Sequence, residues 1–180
     1  MISIFDLSII IVTGLAVFFD LTVRRIPNWL ILFGLTSALL LNAMHGLGPF
    51  THSVLGFFAG IAVLIFPFAL GWLGAGDVKY FAVVGAFLGV AWLPRIAFYS
   101  AVTAGSIAIG YLIANRFHLH SVKEMWTDFR LAITSLGHIL PDPIKTRVDK
   151  GSHSVPWGVA ITAGTIIAYY LDPQGRWAGF

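Results

Sequence analysis

The sequence contains no cysteine and few charged residues. Only 11% of its 180 residues are Asp, Glu, Lys or Arg, whereas soluble domains carry about 25%. The lack of cysteine excludes disulfides, thiolate metal sites and cysteine nucleophiles. The formal net charge of +3 is too small to indicate a nucleic-acid partner. Because 58% of the residues are hydrophobic, the composition indicates a membrane protein surrounded by lipid.

The apolar runs predict an all-α polytopic membrane protein with about six transmembrane helices. A helix needs about 20 residues to cross the bilayer core, and several runs approach that length. We expect one membrane-embedded domain over residues 1–180. The N-terminal run lacks a basic region and a cleavage site, which indicates a retained helix and not a signal peptide. The predicted helices are Ile2–Phe19, Trp29–Met44, Val54–Leu73, Tyr80–Leu93, Ile96–Ala114 and Val155–Leu171.

The distribution of Lys and Arg predicts the orientation of these helices. Of the 11 basic residues, only Arg95 and Arg176 fall outside the connections that follow the first, third and fifth helices. Cytoplasmic connections of membrane proteins carry the excess of positive charge. We therefore place these connections in the cytoplasm and the N-terminus outside.

The long connection, residues 116–154, is too polar to span the membrane. Ser121 and Glu124 have the spacing of a capping box, and apolar residues then recur every three or four positions up to Gly137. This pattern predicts an amphipathic helix. Two interpretations remain open: the helix lies in the cytoplasmic interface, or it packs its apolar stripe onto the bundle.

Two aspartates stand out because they adjoin apolar runs on the same predicted side of the membrane. Asp20 ends the first run, and Asp77 follows the third. An ionisable residue in a membrane helix costs at least ~2.5–3.5 kcal/mol, so its presence indicates a function. Two carboxyl groups in a low-dielectric site share a proton, so one can activate water while the other protonates a carbonyl. The structural alternative is that each aspartate caps a helix or pairs with a neighbouring basic residue.

The neighbours of these aspartates suggest further roles. Asp77 would face the positive end of the fourth helix and Asp20 the negative end of the first, which favours Asp77 as base and Asp20 as acid. We expect Gly74 and Gly76 to permit a bend and a close approach of the chain. Lys79 should point away from Asp77, towards the interface. The six histidines are scattered, so neither a metal nor a cofactor is predicted.

Small residues at a spacing of four mark predicted helix contacts. Gly56/Gly60 and Gly85/Gly89 allow close packing of helices in lipid. We expect these pairs to be structural.

At this point the sequence resembles a known family. Gly74-Ala75-Gly76-Asp77-Val78-Lys79 resembles the Gly-x-Gly-Asp signature of type IV prepilin peptidases. Asp20, followed by Ile26-Pro27-Asn28, resembles the first catalytic aspartate of that family and its Ile-Pro-Asn sequence. Val155-Pro156-Trp157-Gly158 is similar, more loosely, to a late Pro-containing motif. The resemblance extends over essentially the whole chain.

The resemblance implies an aspartic endopeptidase of the cell membrane. Such enzymes remove the short basic leader of prepilins or pseudopilins at the cytoplasmic face, and Asp20 and Asp77 match their catalytic aspartates. The longer, bifunctional members carry paired Cys-x-x-Cys motifs and also methylate the new N-terminus. Because cysteine is lacking here, we expect a peptidase without methyltransferase activity, similar to the short enzymes of tight-adherence pilus systems. Archaeal preflagellin peptidases are a neighbouring possibility.

Three other interpretations are weighed against this one. Presenilin-like proteases share Gly-x-Gly-Asp but pair it with Tyr-Asp and Pro-Ala-Leu, which this sequence lacks. A small proton- or ion-coupled transporter would need acids near the membrane midplane, beside broken helices. A non-enzymatic scaffold of a pilus or secretion complex would need no acid pair. The sequence does not define the substrate or the oligomeric state.

Overall fold

The computed structural model describes residues 4–114 and 156–174, where all regular secondary structure is helical. A 3₁₀ turn, Val90–Trp92, leads into the fifth helix, and the sixth continues as a π-helical turn, Ile167–Leu171. The amphipathic helix predicted within 116–154 lies outside the described residues. The helices are α1 (Ile4–Thr22), α2 (Asn28–Met44), α3 (Leu47–Ala69), α4 (Ala75–Leu88), α5 (Leu93–Ala114) and α6 (Trp157–Ile166).

All six predicted segments are helical, but the bounds of two of them differ from the prediction by four residues or more. Helix α3 begins at Leu47 and not at Val54, because Pro49 lies in its first turn, where a missing N–H costs nothing. Helix α4 begins at Ala75 and ends at Leu88. It ends there because Gly89 adopts φ 85°, a left-handed conformation that stops the helix.

Helix α4 forms the centre of the bundle. Its residues from Tyr80 to Phe87 are all buried, and α1, α2, α3 and α6 pack around it. A helix that is apolar on every side is typical of such a core position. Its 14 residues extend only about 21 Å, less than the ~30 Å core of a bilayer. After Gly89 the chain turns by 119° into α5. The middle and C-terminal part of α4 is therefore enclosed by other helices, while its N-terminal turn is partly exposed.

The outer surface of the bundle is strongly apolar. Large side chains such as Leu32, Leu40 and Phe58 are more than half exposed. An apolar surface of this extent suits contact with lipid, not water. By length and composition, α1 and α3 can each cross a membrane, and the bent pair α4–α5 can provide a third crossing. The protein is thus a helical membrane protein, while the predicted number of six crossings stays a prediction.

Glycines allow α3 and α4 to touch backbone to backbone. A Cβ added at Gly56 would overlap the carbonyl oxygen of Gly85, and one added at Gly85 would overlap that of Gly56. A Cβ at Gly60 would lie 2.7 Å from the Cα of Ala82. The predicted packing role is confirmed for Gly56, Gly60 and Gly85. Gly89 also lies in this contact, because a Cβ added at Gly56 would be 3.1 Å from its Cα, and Gly89 ends α4 as well.

Replacing Gly85 with alanine should destabilise the bundle. The new methyl group forces α3 and α4 apart, and overpacking of this kind costs about 1–3 kcal/mol. Thermal unfolding in detergent should show a lower midpoint for Gly85→Ala. Gly110→Ala in α5 is the matched control, since nothing lies within 4 Å of its added Cβ. Equal midpoints for the two variants would contradict the close α3–α4 contact.

A polar cluster lies at the end of the bundle where α5 begins. The hydroxyl of Tyr99 donates a hydrogen bond of 2.7 Å to the carboxylate of Asp172, which is buried. Nearby, Arg95 Nη1 donates a 2.7 Å hydrogen bond to the carbonyl of Pro173. These contacts hold the C-terminal end of α6 against α5. The two hydrogen bonds lie at the opposite end of the bundle from Asp20.

Candidate active site

Asp77 lies in the first turn of α4 and caps that helix. Its Oδ2 accepts a 3.0 Å hydrogen bond from the backbone N–H of Gly74, the residue that precedes the helix. The sequence prediction placed Asp77 before the helix, which was wrong, because the helix begins already at Ala75. The expected proximity to the positive end of the helix nevertheless holds.

Asp20 lies in the last turn of α1 and is buried, with 6% of its surface exposed. Its Oδ2 accepts a 3.1 Å hydrogen bond from the N–H of Val159, in the first turn of α6. Gly158 is so close that an added Cβ would lie 2.8 Å from the same oxygen. The positive charge of Arg24 also acts on this carboxyl group.

The fold brings Asp20 and Asp77 to the same end of the bundle. Asp20 contacts the first turn of α6, and Tyr80, three residues after Asp77, contacts Thr162 in the same helix. Helix α4 packs against both α1 and α6, which is how residues from distant parts of the chain meet. Each acid also caps a helix, so the structural alternative raised from the sequence describes part of their role.

The helix ends near the two aspartates do not distinguish the acid from the base. Asp20 ends α1, but its carboxylate also lies at the positive N-terminal end of α6, because Val159 donates to it. Both acids therefore face a helix N-terminus, and each is favoured in its charged form by that end. The assignment of Asp77 as base and Asp20 as acid stays a prediction without this support.

The other residues of the motifs lie around the two acids. Lys79 is exposed and its Nζ donates a 3.3 Å hydrogen bond to Oδ1 of Asn28, so it joins α4 to α2. This agrees with the expectation that Lys79 points away from Asp77. Ile26 is buried, and its main chain packs beside Gly76. Pro27 directly precedes α2, and Asn28 begins the helix.

The expectation that Gly74 and Gly76 adopt backbone angles special to glycine was wrong. Gly74 has φ −79° and ψ 154°, which any residue can adopt, and Gly76 lies within α4. The left-handed angle belongs to Gly71, with φ 76°. What matters at Gly74 is the missing side chain: an added Cβ would lie 3.1 Å from Asp77 Oδ2. At Gly76 the nearest atoms would be 3.7 Å away, on Ile26, an ordinary contact.

Two residues that the sequence analysis missed connect this region to α6. Tyr80 is fully buried, and its hydroxyl lies 2.7 Å from Oγ1 of Thr162. Thr162 in turn donates a 2.9 Å hydrogen bond to the carbonyl of Gly158. A tyrosine three residues after Asp77, in an otherwise apolar helix, was the available signal. Its partner in α6 could not be identified without the fold.

An apolar cavity of about 310 Å³ lies between α1 and α6, and neither Asp20 nor Asp77 lines it. Its lining includes Ile9, Thr13, Thr162 and Ile166. Within residues 4–114 and 156–174, no three side chains of His, Asp or Glu are grouped closely enough to hold a metal ion.

The fold and the site define a helical membrane protein with an acid pair at one end of its bundle. The chain belongs to the type IV leader peptidase family, whose model matches residues 7–109. That region contains both Asp20 and Asp77.

Relatives of known name support the same family. A prepilin leader peptidase/N-methyltransferase of Aeromonas salmonicida is 32% identical over 111 residues, and the match covers 56% of this chain and 37% of the relative. One of Aeromonas hydrophila is 31% identical over 111 residues, with the same coverage of 56% and 37%. The chain thus covers 37% of the length of these relatives. No solved structure matches the chain.

Proposed function

We propose that this protein is an aspartic endopeptidase that removes the short basic leader from type IV prepilins or pseudopilin-like substrates. Its catalytic residues are Asp20 and Asp77, and it acts with one water molecule at the cytoplasmic face of the membrane. The observation that carries this proposal is that the two acids, far apart in the chain, lie at the same end of the bundle, where α4 packs against α1 and α6. Family membership supports the choice of substrate.

The chemistry needs only the two carboxyl groups and water. The ionised carboxylate takes a proton from water, whose oxygen attacks the scissile carbonyl carbon. The protonated carboxyl donates its proton to the carbonyl oxygen, which gives a neutral tetrahedral intermediate. Collapse of this intermediate breaks the C–N bond: the first carboxyl gives its proton to the leaving amine, and one hydroxyl of the intermediate returns a proton to the second carboxylate as the C=O bond reforms. No cofactor is consumed.

We propose that this chain performs the hydrolytic reaction alone. The relatives are named for methyl transfer as well, but the paired Cys-x-x-Cys motifs of the bifunctional members have no counterpart among these 180 residues. The cleaved product should therefore acquire no labelled methyl group from S-adenosylmethionine. If the cleaved product acquires a labelled methyl group when this protein is the only enzyme present, the restriction to peptidase activity is wrong.

The test of the peptidase proposal is co-expression with prepilins of the same genome, scored by the mobility of the prepilin on a gel. Wild-type protein should convert the precursor to a shorter product, whose new N-terminus is read by sequencing. Cleavage directly after the basic leader supports the proposal. If no prepilin is shortened by wild-type protein, the assigned substrate class is wrong.

We propose six membrane crossings, with the N-terminal end of α1 outside and the acid pair in the cytoplasmic leaflet. In support, Arg24 and Lys79 lie at the end of the bundle that contains the acids. Because the chain lacks cysteine, single cysteines can report this orientation. An impermeant maleimide should label Met44→Cys in intact cells and Val23→Cys only after permeabilisation, as both positions are exposed. The reverse pattern would contradict the orientation.

The two signature glycines should differ in sensitivity. Gly74→Ala places a methyl group 3.1 Å from Asp77 Oδ2 and must shift that carboxylate, whereas Gly76→Ala makes an ordinary contact of 3.7 Å with Ile26. A displacement of about 1 Å in a catalytic group can cost ~10²-fold in rate. We expect leader cleavage to fall about tenfold or more in Gly74→Ala and less in Gly76→Ala. A larger loss in Gly76→Ala would show that this contact does not govern activity.

A further inference from the structure

We propose that Tyr80 and Thr162 are positioning residues that hold Asp20 in place for catalysis. The inference rests on the proposed peptidase function but adds two residues outside the signature motifs. The inference is supported by a series of hydrogen bonds that runs from Tyr80 through Thr162 and the first turn of α6 to the carboxylate of Asp20.

The direction of these hydrogen bonds follows from counting protons. Thr162 has one hydroxyl proton, which it donates to the carbonyl of Gly158 at 2.9 Å. The oxygen of Thr162 is therefore the acceptor in its 2.7 Å contact with Tyr80, whose hydroxyl is the donor. Tyr80 thus binds, through Thr162, the first turn of α6.

That first turn is also what holds Asp20. The N–H of Val159 donates to Asp20 Oδ2 at 3.1 Å, and Gly158 packs directly against the same side chain. A shift of this turn would move the hydrogen-bond donor and the packing surface of Asp20 together. Because Tyr80 lies on α4, three residues after Asp77, the network sets the position of one acid relative to the helix that carries the other.

Packing alone does not explain the hydroxyl of Tyr80. The residue is fully buried, in a helix whose neighbouring positions are Phe81, Ala82 and Val83. A phenylalanine would fill nearly the same space, and a buried hydroxyl is costly unless it is hydrogen-bonded. Because Tyr80 is fully buried, its hydroxyl acts on the site through its hydrogen bond to Thr162 and not by direct contact with substrate.

The decisive variant is Tyr80→Phe, with Tyr99→Phe as its matched control. Tyr99 is also buried and also donates a 2.7 Å hydrogen bond, but to Asp172 at the other end of the bundle. With purified protein in detergent and a peptide spanning a prepilin leader site, Tyr80→Phe should lower kcat about tenfold and leave KM unchanged. Tyr99→Phe should leave kcat per folded enzyme unchanged.

Variants of Thr162 test the hydrogen bonds that this residue makes with Tyr80 and Gly158. Thr162→Ser keeps the hydroxyl and should keep kcat near the wild-type value, whereas Thr162→Val should match Tyr80→Phe. The double variant, Tyr80→Phe with Thr162→Val, should lose no more than either single variant, because all three break the same series. Independent, additive losses would overturn the coupling.

A second measurement decides the inference even if no prepilin is cleaved. Dicyclohexylcarbodiimide modifies carboxyl groups in apolar surroundings, and mass spectrometry reports the rate at Asp20. Release of Asp20 from Val159 in Tyr80→Phe should raise that rate about fivefold, the factor expected for losing one hydrogen bond. An unchanged rate, or an equal rise in Tyr99→Phe, would overturn the positioning role. If wild type does not cleave but the labelling rate rises, the peptidase proposal alone has failed.

Discussion

Replacing Asp20 or Asp77 with asparagine should lower leader cleavage by about 10²- to 10⁴-fold, the usual contribution of a positioned acid or base. Asparagine has almost the same shape as aspartate, but it neither takes up nor releases a proton near neutral pH. The loss should appear in kcat, since the substrate can still bind. Because the two carboxyl groups act together, the double variant should be little worse than either single one.

Asparagine also separates catalysis from the structural role of the two acids. Asp20 accepts a hydrogen bond from Val159, and Asp77 accepts one from Gly74. An asparagine side-chain oxygen can accept the same hydrogen bonds. Both variants should therefore insert and fold like wild type. If the acids served only to cap helices, the substitutions would leave cleavage nearly unchanged.

The measurement is the gel assay with co-expressed prepilin, with the amount of membrane-inserted enzyme determined in each strain. Asp6→Asn is the matched control, because Asp6 is an aspartate of the same helix as Asp20, at its opposite end. Asp6 accepts a hydrogen bond from Tyr169, and its replacement should leave cleavage intact. Processing that persists in both Asp20→Asn and Asp77→Asn would show that the acids are not catalytic.

The second large effect is expected at Gly158, a position outside the Gly-x-Gly-Asp signature. In Gly158→Ala the new methyl group would lie 2.8 Å from Oδ2 of Asp20 and 3.0 Å from its Cβ and Cγ. Rotation of the Asp20 side chain cannot relieve the contact with its Cβ, so the first turn of α6 must move away from α1. We expect kcat/KM to fall ~10²-fold, as for a catalytic group misplaced by about 1 Å.

Gly105→Ala is the appropriate control for this variant. Gly105 lies in α5, and nothing is within 4 Å of its added Cβ, so activity and thermal stability should stay at wild-type values. The rate of Gly158→Ala should be compared per amount of folded enzyme, which separates displacement of Asp20 from loss of protein. Wild-type kcat/KM in folded Gly158→Ala would mean that this contact is not required.

Much of the site could be predicted because its signals are local in the chain. Asp20 and Asp77 are acids beside apolar runs, which identifies them without a fold. Lys79 follows Asp77 by two residues, so helical geometry alone predicts that its side chain points away from Asp77. In the structure Lys79 contacts Asn28. The limits of the helices were harder to predict. Pro49 within α3 and Gly89 after α4 changed the bounds, because hydropathy does not report where a backbone can continue.

The sequence by itself determined the class of the protein, its six helical segments and the two acids that distinguish it. These follow from composition and from spacings of a few residues, which act within one helix. Only the tertiary structure decided which helix end faces each acid, since Asp20 and Val159 are 139 residues apart in the chain. Likewise, Tyr80 and Thr162 are separated by 82 residues. Such contacts depend on which helices pack together, and the charge pattern along any single helix does not contain that information.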